Sequence, residues 1–177
     1  MELLASPFLS SDRGGVYAGP QWSQERLEAL TEVLEFWPYM AAVDAFQHWV
    51  YEDPRAARNP DRCDETWAGL VRRFMPHLDW TGLEESLGLS WRLQDHIILS
   101  PFYYVEYGMA QLGAIQLWAN AIQSQEQAVA AYRTALSLGN TRSLPDLYRA
   151  AGVKFEFGTE TLTKAVQLIE QTLDQLD

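Results

Sequence analysis

A chain of 177 residues, 47% of them hydrophobic and seven of them tryptophan, can bury about 70% of its unfolded surface in a core, which excludes a disordered polypeptide. A net charge of −11 with only 13 lysines and arginines, mostly scattered, excludes nucleic acid as a partner, because neutralising phosphates takes clustered cations. The acidity fits an enzyme that attracts cationic peptides, but solubility is the simpler account.

No uncharged apolar run approaches the roughly 20 residues that span a bilayer, so no membrane partner is expected. Met1-Glu-Leu-Leu-Ala-Ser-Pro7 has no basic stretch followed by an apolar one. The single cysteine, Cys63, has no internal disulfide partner, and nothing beside it marks a lowered thiol pKa. The expected address is cytoplasmic, with Cys63 inert.

In chain order, a short helical start leads into a glycine-rich loop over Ser10–Pro20. Leu27, Leu30, Val33, Leu34 and Trp37 then recur at helical spacing from Ser23 to about Tyr51, with Pro38 predicting either two helices or one bent one. Asn59-Pro60-Asp61 opens a helix that Pro76 ends. Trp80 to Trp91 is predicted as a loop with a helical turn at Leu83–Leu87. Ser100 as N-cap and Pro101 at the first helical position predict one strong helix to about Ile122. Ser124-Gln-Glu-Gln127 reads as a capping box for a helix ending at Gly139. Ser143 to Gly152 and Thr159 to Leu176 give the last two helices. Only Val153–Phe157 alternates like a strand, so the chain is predicted as a single all-α domain or subdomain over 1–177, with no substantial sheet. Ala128–Leu138 resembles part of a tetratricopeptide unit, but nothing recurs about 34 residues on, and the repeat is rejected.

The most informative stretch is His96-Ile-Ile-Leu-Ser-Pro-Phe-Tyr-Tyr-Val-Glu-Tyr107. In the predicted helix Tyr104 and Tyr107 share a face at i,i+3, so both hydroxyls can aim at one spot near His96 and polarise a substrate carbonyl. The competing reading is that such tyrosines are core residues with satisfied hydroxyls. Asp44, His48 and Glu52 form an acid-imidazole-acid row, read as a structural, hydrogen-bonded histidine, because a di-metal bundle site needs Glu-x-x-His pairs that this chain lacks. His77 reads as solvent-facing or packing. No His-Glu-x-x-His, zinc finger spacing or nucleophile elbow occurs.

Three blocks carry a resemblance: Val43-Asp-Ala-Phe-Gln-His-Trp-Val-Tyr-Glu-Asp-Pro54; the His96–Tyr107 stretch running into Gln111-Leu-Gly-Ala114; and Asp146-Leu-Tyr-Arg-Ala-Ala-Gly152 followed by Phe155-Glu-Phe157. In this order, and over nearly the whole chain, they resemble the carboxyl-terminal part of the oligoendopeptidase F and thimet-type zinc metallopeptidases. The resemblance implies the carboxyl-terminal half of a mostly helical zincin-type catalytic domain that hydrolyses oligopeptides. It implies Zn2+ in the complete enzyme, held by a His-Glu-x-x-His helix and a glutamate on a following helix. Met1–Ala5 looks like the continuation of that second helix. The ligands would therefore lie upstream, no metal ligand is expected here, and Glu2 would stand in the outer shell.

By the same resemblance His96, Tyr104 and Tyr107 are the catalytic and substrate-contacting residues, their donors supporting the oxyanion while zinc polarises the carbonyl. Tyr103 completes the candidate substrate-binding set, with packing as its expected role. Three expectations follow: no hydrolysis by this chain alone, an oligopeptide as substrate of the complete enzyme, and an apolar face that recruits the missing amino-terminal segment or self-associates. The alternative is a stand-alone, non-catalytic helical interaction module; an unrelated helical metal or cofactor binder ranks third.

Overall fold

The computed structural model describes residues 2–176, without the side chain of Glu2, so the outer-shell assignment of Glu2 falls outside the described residues. Every named element is helical: α1 (Glu2–Ala5), α2 (Gly19–Glu52), α3 (Pro60–Phe74), α4 (Glu84–Leu89), α5 (Asp95–Leu99), α6 (Val105–Gln123), α7 (Gln125–Leu138), α8 (Leu144–Ala150) and α9 (Thr159–Leu173). Short 3-10 turns link several of them. Among the described residues the sole β pairing is an isolated bridge between Ser10 and Tyr17, which closes the glycine-rich loop. Among the described residues no helix is long and apolar enough to cross a membrane.

The chain divides into two compact units. One comprises residues 34–108, and the other residues 1–33 with 109–177. In the first, α2 and α3 bring together Ala42, Val43, Phe46, Cys63, Trp67, Ala68 and Val71, with Leu87 of α4. On α3 the sequence dictates this directly, since Cys63, Trp67 and Val71 repeat at i,i+4 and form one apolar stripe. The Asn59 side chain accepts the Asp61 N–H at 2.9 Å and Pro60 takes the first turn, which fixes where the helix starts. Trp67 donates its indole N–H to Ser90 Oγ at 2.7 Å, and Trp91 donates to Asp64 Oδ1 at 2.8 Å. Trp67 is thus buried and Trp91 half-buried, each without an orphaned donor.

In the second unit Leu4, Leu117, Ala121 and Ala128 form an apolar cluster with Tyr132 and Val153 packed on it. The alternating Val153–Phe157 segment forms no regular element and pairs with no strand among the described residues. Instead Lys154 donates its N–H to Gln116 Oε1 at 3.0 Å and accepts from Gln116 Nε2 at 3.1 Å. One side-chain amide thus serves as the neighbouring backbone that the alternation would otherwise require. At α7 half of the expected capping box forms, Ser124 Oγ accepting from Gln127 N at 3.4 Å.

Of the two readings left open at Pro38 the one-helix reading holds, and the start of the tyrosine helix is corrected. Pro38 lies inside α2, which runs as a single helix from Gly19. An interior proline, through its missing N–H and its ring clash with the preceding turn, costs about 3 kcal/mol, and burial of Trp37, Ala42, Val43 and Phe46 around it offsets this at roughly 1.5–3 kcal/mol per large apolar side chain. The strong helix predicted from Ser100 begins only at Val105. Ser100 is the C-cap of the separate helix α5, and Phe102 has φ +63°, a left-handed conformation that no right-handed helix can pass through.

Candidate functional site

The α5 helix and the turn that follows it place the candidate residues. Asp95 in the first turn of α5 is followed by His96, while Tyr103 and Tyr104 sit between Phe102 and α6 and Tyr107 lies in the first turn of α6. The turn brings all three phenols around one imidazole. Ring centroids of Tyr104, Tyr107 and Tyr103 lie 5.0, 5.7 and 6.1 Å from that of His96. Tyr103 stacks parallel to the imidazole, the planes 3° apart, whereas Tyr107 meets it edge-on at 87°, its Oη 3.4 Å from His96 Nε2.

The phenols differ in environment. Tyr103 and Tyr107 are 45% and 42% exposed, so their hydroxyls can be reached from solvent. Tyr104 is half-buried against Phe36 and Tyr39, at centroid distances of 5.4 and 6.1 Å. Its burial, and then the neighbouring Tyr39 and Tyr107 phenols, push its pKa above the ordinary phenol value. Tyr104 therefore remains a protonated donor well into alkaline solution.

Two neutral amides hold this arrangement. Gln94 Nε2 lies 2.8 Å from His96 Nδ1, and Gln94 Oε1 accepts the Tyr39 hydroxyl at 3.2 Å. Gln47 on α2, 1% exposed, accepts the Phe102 N–H on Oε1 at 2.7 Å and donates to Val43 O at 3.4 Å. The left-handed Phe102 backbone, which would otherwise cost about 1–3 kcal/mol, is pinned by a fully buried side chain.

The sequence predicted His96, Tyr103, Tyr104 and Tyr107, and the fold brings those four together. It did not single out Gln94, Tyr39 or Gln47. A signal for Gln47 existed, because it falls in the apolar face of α2 beside Val43 and Phe46, where a lone polar residue requires a partner. The Asp44–His48–Glu52 row does not form the expected hydrogen-bonded histidine. The imidazole of His48 is 58% exposed, 3.6 Å from Asp44 Oδ2 and edge-on to the Phe102 ring at 5.1 Å. His77 is exposed in the turn after α3. Cys63 is buried, its thiol donating to Ala57 O at 3.3 Å, and burial, followed by Asp64, raises its pKa.

Among the described residues no group of three or more His, Cys, Asp or Glu side chains is placed to hold a metal ion. The zinc implied by the sequence resemblance does not fit these residues. What His96, Tyr104 and Tyr107 can supply is a set of convergent hydrogen-bond donors.

The helical architecture is that of known peptidases. A solved structure of PZ peptidase A with an inhibitor matches with a TM-score of 0.80 and 33% identity, over 88% of this chain and 28% of that one. A provisionally assigned oligoendopeptidase F matches with a TM-score of 0.79 and 32% identity, over 88% of this chain and 27% of the other. The chain thus spans little more than a quarter of either structure's length. No curated protein matches. The family model of peptidase family M3 matches residues 24–167, and the chain belongs to that family.

Proposed function

We propose that this chain is the carboxyl-terminal segment of a zinc-dependent oligopeptidase catalytic domain, a helical subdomain that presents His96, Tyr104 and Tyr107 to the scissile peptide, with Tyr103 flanking them. The observation that carries this reading is the convergence of three phenols on one imidazole, two of them open to solvent. The 177 residues contain no His-Glu-x-x-His, so in this reading the metal ligands would come from another stretch of polypeptide, and zinc bound there would supply the activation of water. The task of these residues is electrostatic. As the peptide carbonyl becomes tetrahedral its oxygen gains charge, and preorganised O–H and N–H donors stabilise that charge more than the ground-state carbonyl. Exposed Leu93, Ile98 and Leu99, at 85%, 62% and 75%, suit burial against the completing segment or a second copy.

The test is reconstitution. This chain, incubated with zinc and an internally quenched oligopeptide, is expected to show no cleavage above buffer. Mixed with the complementary amino-terminal portion of an M3 peptidase, it is expected to give chelator-sensitive cleavage. In that mixture Tyr107→Phe should lower kcat by about 10²–10³, the usual effect of losing one oxyanion donor. Robust cleavage by the chain alone would overturn the reading. So would full activity of both Tyr107→Phe and His96→Ala after reconstitution. Tight binding to the partner with no turnover would favour the interaction module instead.

A further inference from the structure

We infer that Gln94, oriented by Tyr39, is a positioning residue that fixes which nitrogen of His96 carries the proton and so leaves the Tyr107 O–H free to face substrate. The inference rests on the reading of His96 and Tyr107 as substrate-facing groups.

Four polar groups form a line from the half-buried Tyr39 hydroxyl to the exposed Tyr107 hydroxyl: Tyr39 Oη to Gln94 Oε1 at 3.2 Å, Gln94 Nε2 to His96 Nδ1 at 2.8 Å, and His96 Nε2 to Tyr107 Oη at 3.4 Å. With the imidazole neutral, each middle member has one donating and one accepting end, and the line then has only two self-consistent directions. In the first, Tyr39 donates to the amide oxygen and the amide N–H donates to Nδ1. His96 then carries its proton on Nε2 and donates to Tyr107 Oη, and the Tyr107 proton is left over. In the second, every arrow reverses: Tyr107 donates to His96, Nδ1–H donates to the amide oxygen, and the amide N–H donates to Tyr39 Oη.

The inner end decides between them. The bond to Gln94 is the only one the Tyr39 hydroxyl makes among the described residues, and burial raises the Tyr39 pKa, which keeps the group protonated. The reversed direction would require the amide to turn over, whereas Oε1 faces the Tyr39 hydroxyl and Nε2 faces His96 Nδ1. It would also take from the half-buried Tyr39 proton its one acceptor among the described residues, while the forward direction leaves only an oxygen lone pair unused. The forward line therefore prevails. Its chemical consequence lies at the outer end, where Tyr107 can direct its proton at a developing oxyanion instead of spending it on the ring.

The test is read first on the 177-residue chain, labelled with nitrogen-15 on histidine, by long-range proton–nitrogen correlation of the imidazoles, with His96 assigned through His96→Gln. The expected spectrum shows His96 with a protonated Nε2 and an unprotonated Nδ1. In Gln94→Glu the carboxylate can only accept, so the ring should change to Nδ1–H or to the doubly protonated form. In Tyr39→Phe the amide loses the group that orients it, and both tautomers should appear; this variant deletes only one hydroxyl and guards against loss of fold in the first. A native ring protonated on Nδ1, or spectra unchanged in both variants, overturns the inference. In the reconstituted enzyme Gln94→Leu should lower kcat about tenfold with KM unchanged, as for other partners that fix a histidine tautomer. Altered spectra with unaltered kcat would instead sink the reading of His96 and Tyr107 as substrate-facing.

Discussion

Replacing Gln47 by leucine tests how the turn that shapes the site is held. The Gln47 amide is 1% exposed and its oxygen takes the Phe102 N–H at 2.7 Å, at a residue whose φ is +63°. A phenylalanine in the left-handed region costs about 1–3 kcal/mol relative to its relaxed backbone. Removing an acceptor from a partly buried N–H costs about 1–3 kcal/mol. Leucine fills nearly the same volume and returns about 1–2 kcal/mol through apolar burial. Global stability should therefore fall by only about 1 kcal/mol, visible as a lower urea midpoint with unchanged slope. The local effect should be larger, because leucine's burial does nothing for the turn. A loss of about 2 kcal/mol there corresponds to roughly 30-fold more frequent opening, read as faster hydrogen exchange at the Phe102 amide and its neighbours from Ser100 to Tyr104. If exchange at Phe102 were no faster in Gln47→Leu than in the native chain, the claim that one buried amide pins the turn would be wrong.

Gly113→Ala should destabilise the chain by about 1–3 kcal/mol in thermal or urea unfolding, because the new Cβ would stand 2.7 Å from Tyr148 Cε1 and 2.9 Å from its hydroxyl oxygen; overpacking of that order outweighs the gain of about 1 kcal/mol in helix propensity. Gly108→Ala should cost less, since the added Cβ meets the flexible thioether end of Met40. Three of the eight tyrosines, Tyr39, Tyr104 and Tyr148, have phenols raised by burial. The folded state favours their protonated form, so their contribution is intact below the ordinary phenol pKa and is lost as pH rises above it. Ultraviolet titration should show a delayed phase that Tyr104→Phe diminishes, and a single phase at the ordinary value would refute this. Cys63 should react with a disulfide reagent far more slowly in the native chain than in urea, given its buried, raised thiol; equal rates would contradict the packing of α3.

The helical class and most helix positions were legible in the sequence because their signals are local. Asn59-Pro60 starts α3, and the i,i+4 stripe of Cys63, Trp67 and Val71 faces its core. The same locality explains the misplacement of α6. Ser100-Pro101 is an excellent helix start on local grounds, but the left-handed Phe102 is imposed by Gln47, 55 residues earlier, and no window on the chain contains both. Likewise His96, Tyr103, Tyr104 and Tyr107 lie within twelve consecutive residues and could be grouped by eye. Tyr39 could not, since it reaches Gln94 from the same distance of 55 residues. The alternation of Val153–Phe157 marked a segment that forms no regular element. Its partner, the side chain of Gln116, is a type of pairing that periodicity does not reveal.

Both braces of the site are glutamines, and their chemistry excludes the obvious substitutes. Each amide donates at one end and accepts at the other: Gln47 between Val43 O and the Phe102 N–H, Gln94 between His96 and Tyr39. A glutamate in place of Gln47 could still accept from Phe102, but it would bring a carboxylate into a position 1% exposed, where no cation pairs with the native amide. It would have to take up a proton or lose several kcal/mol to desolvation. A lysine could not accept at all. At Gln94 a carboxylate could only accept from the imidazole, so the donating end that the native amide turns toward the ring would be lost. Neutral two-ended side chains thus allow the turn and the imidazole to be held firmly while the charge at the site is left for the substrate to develop.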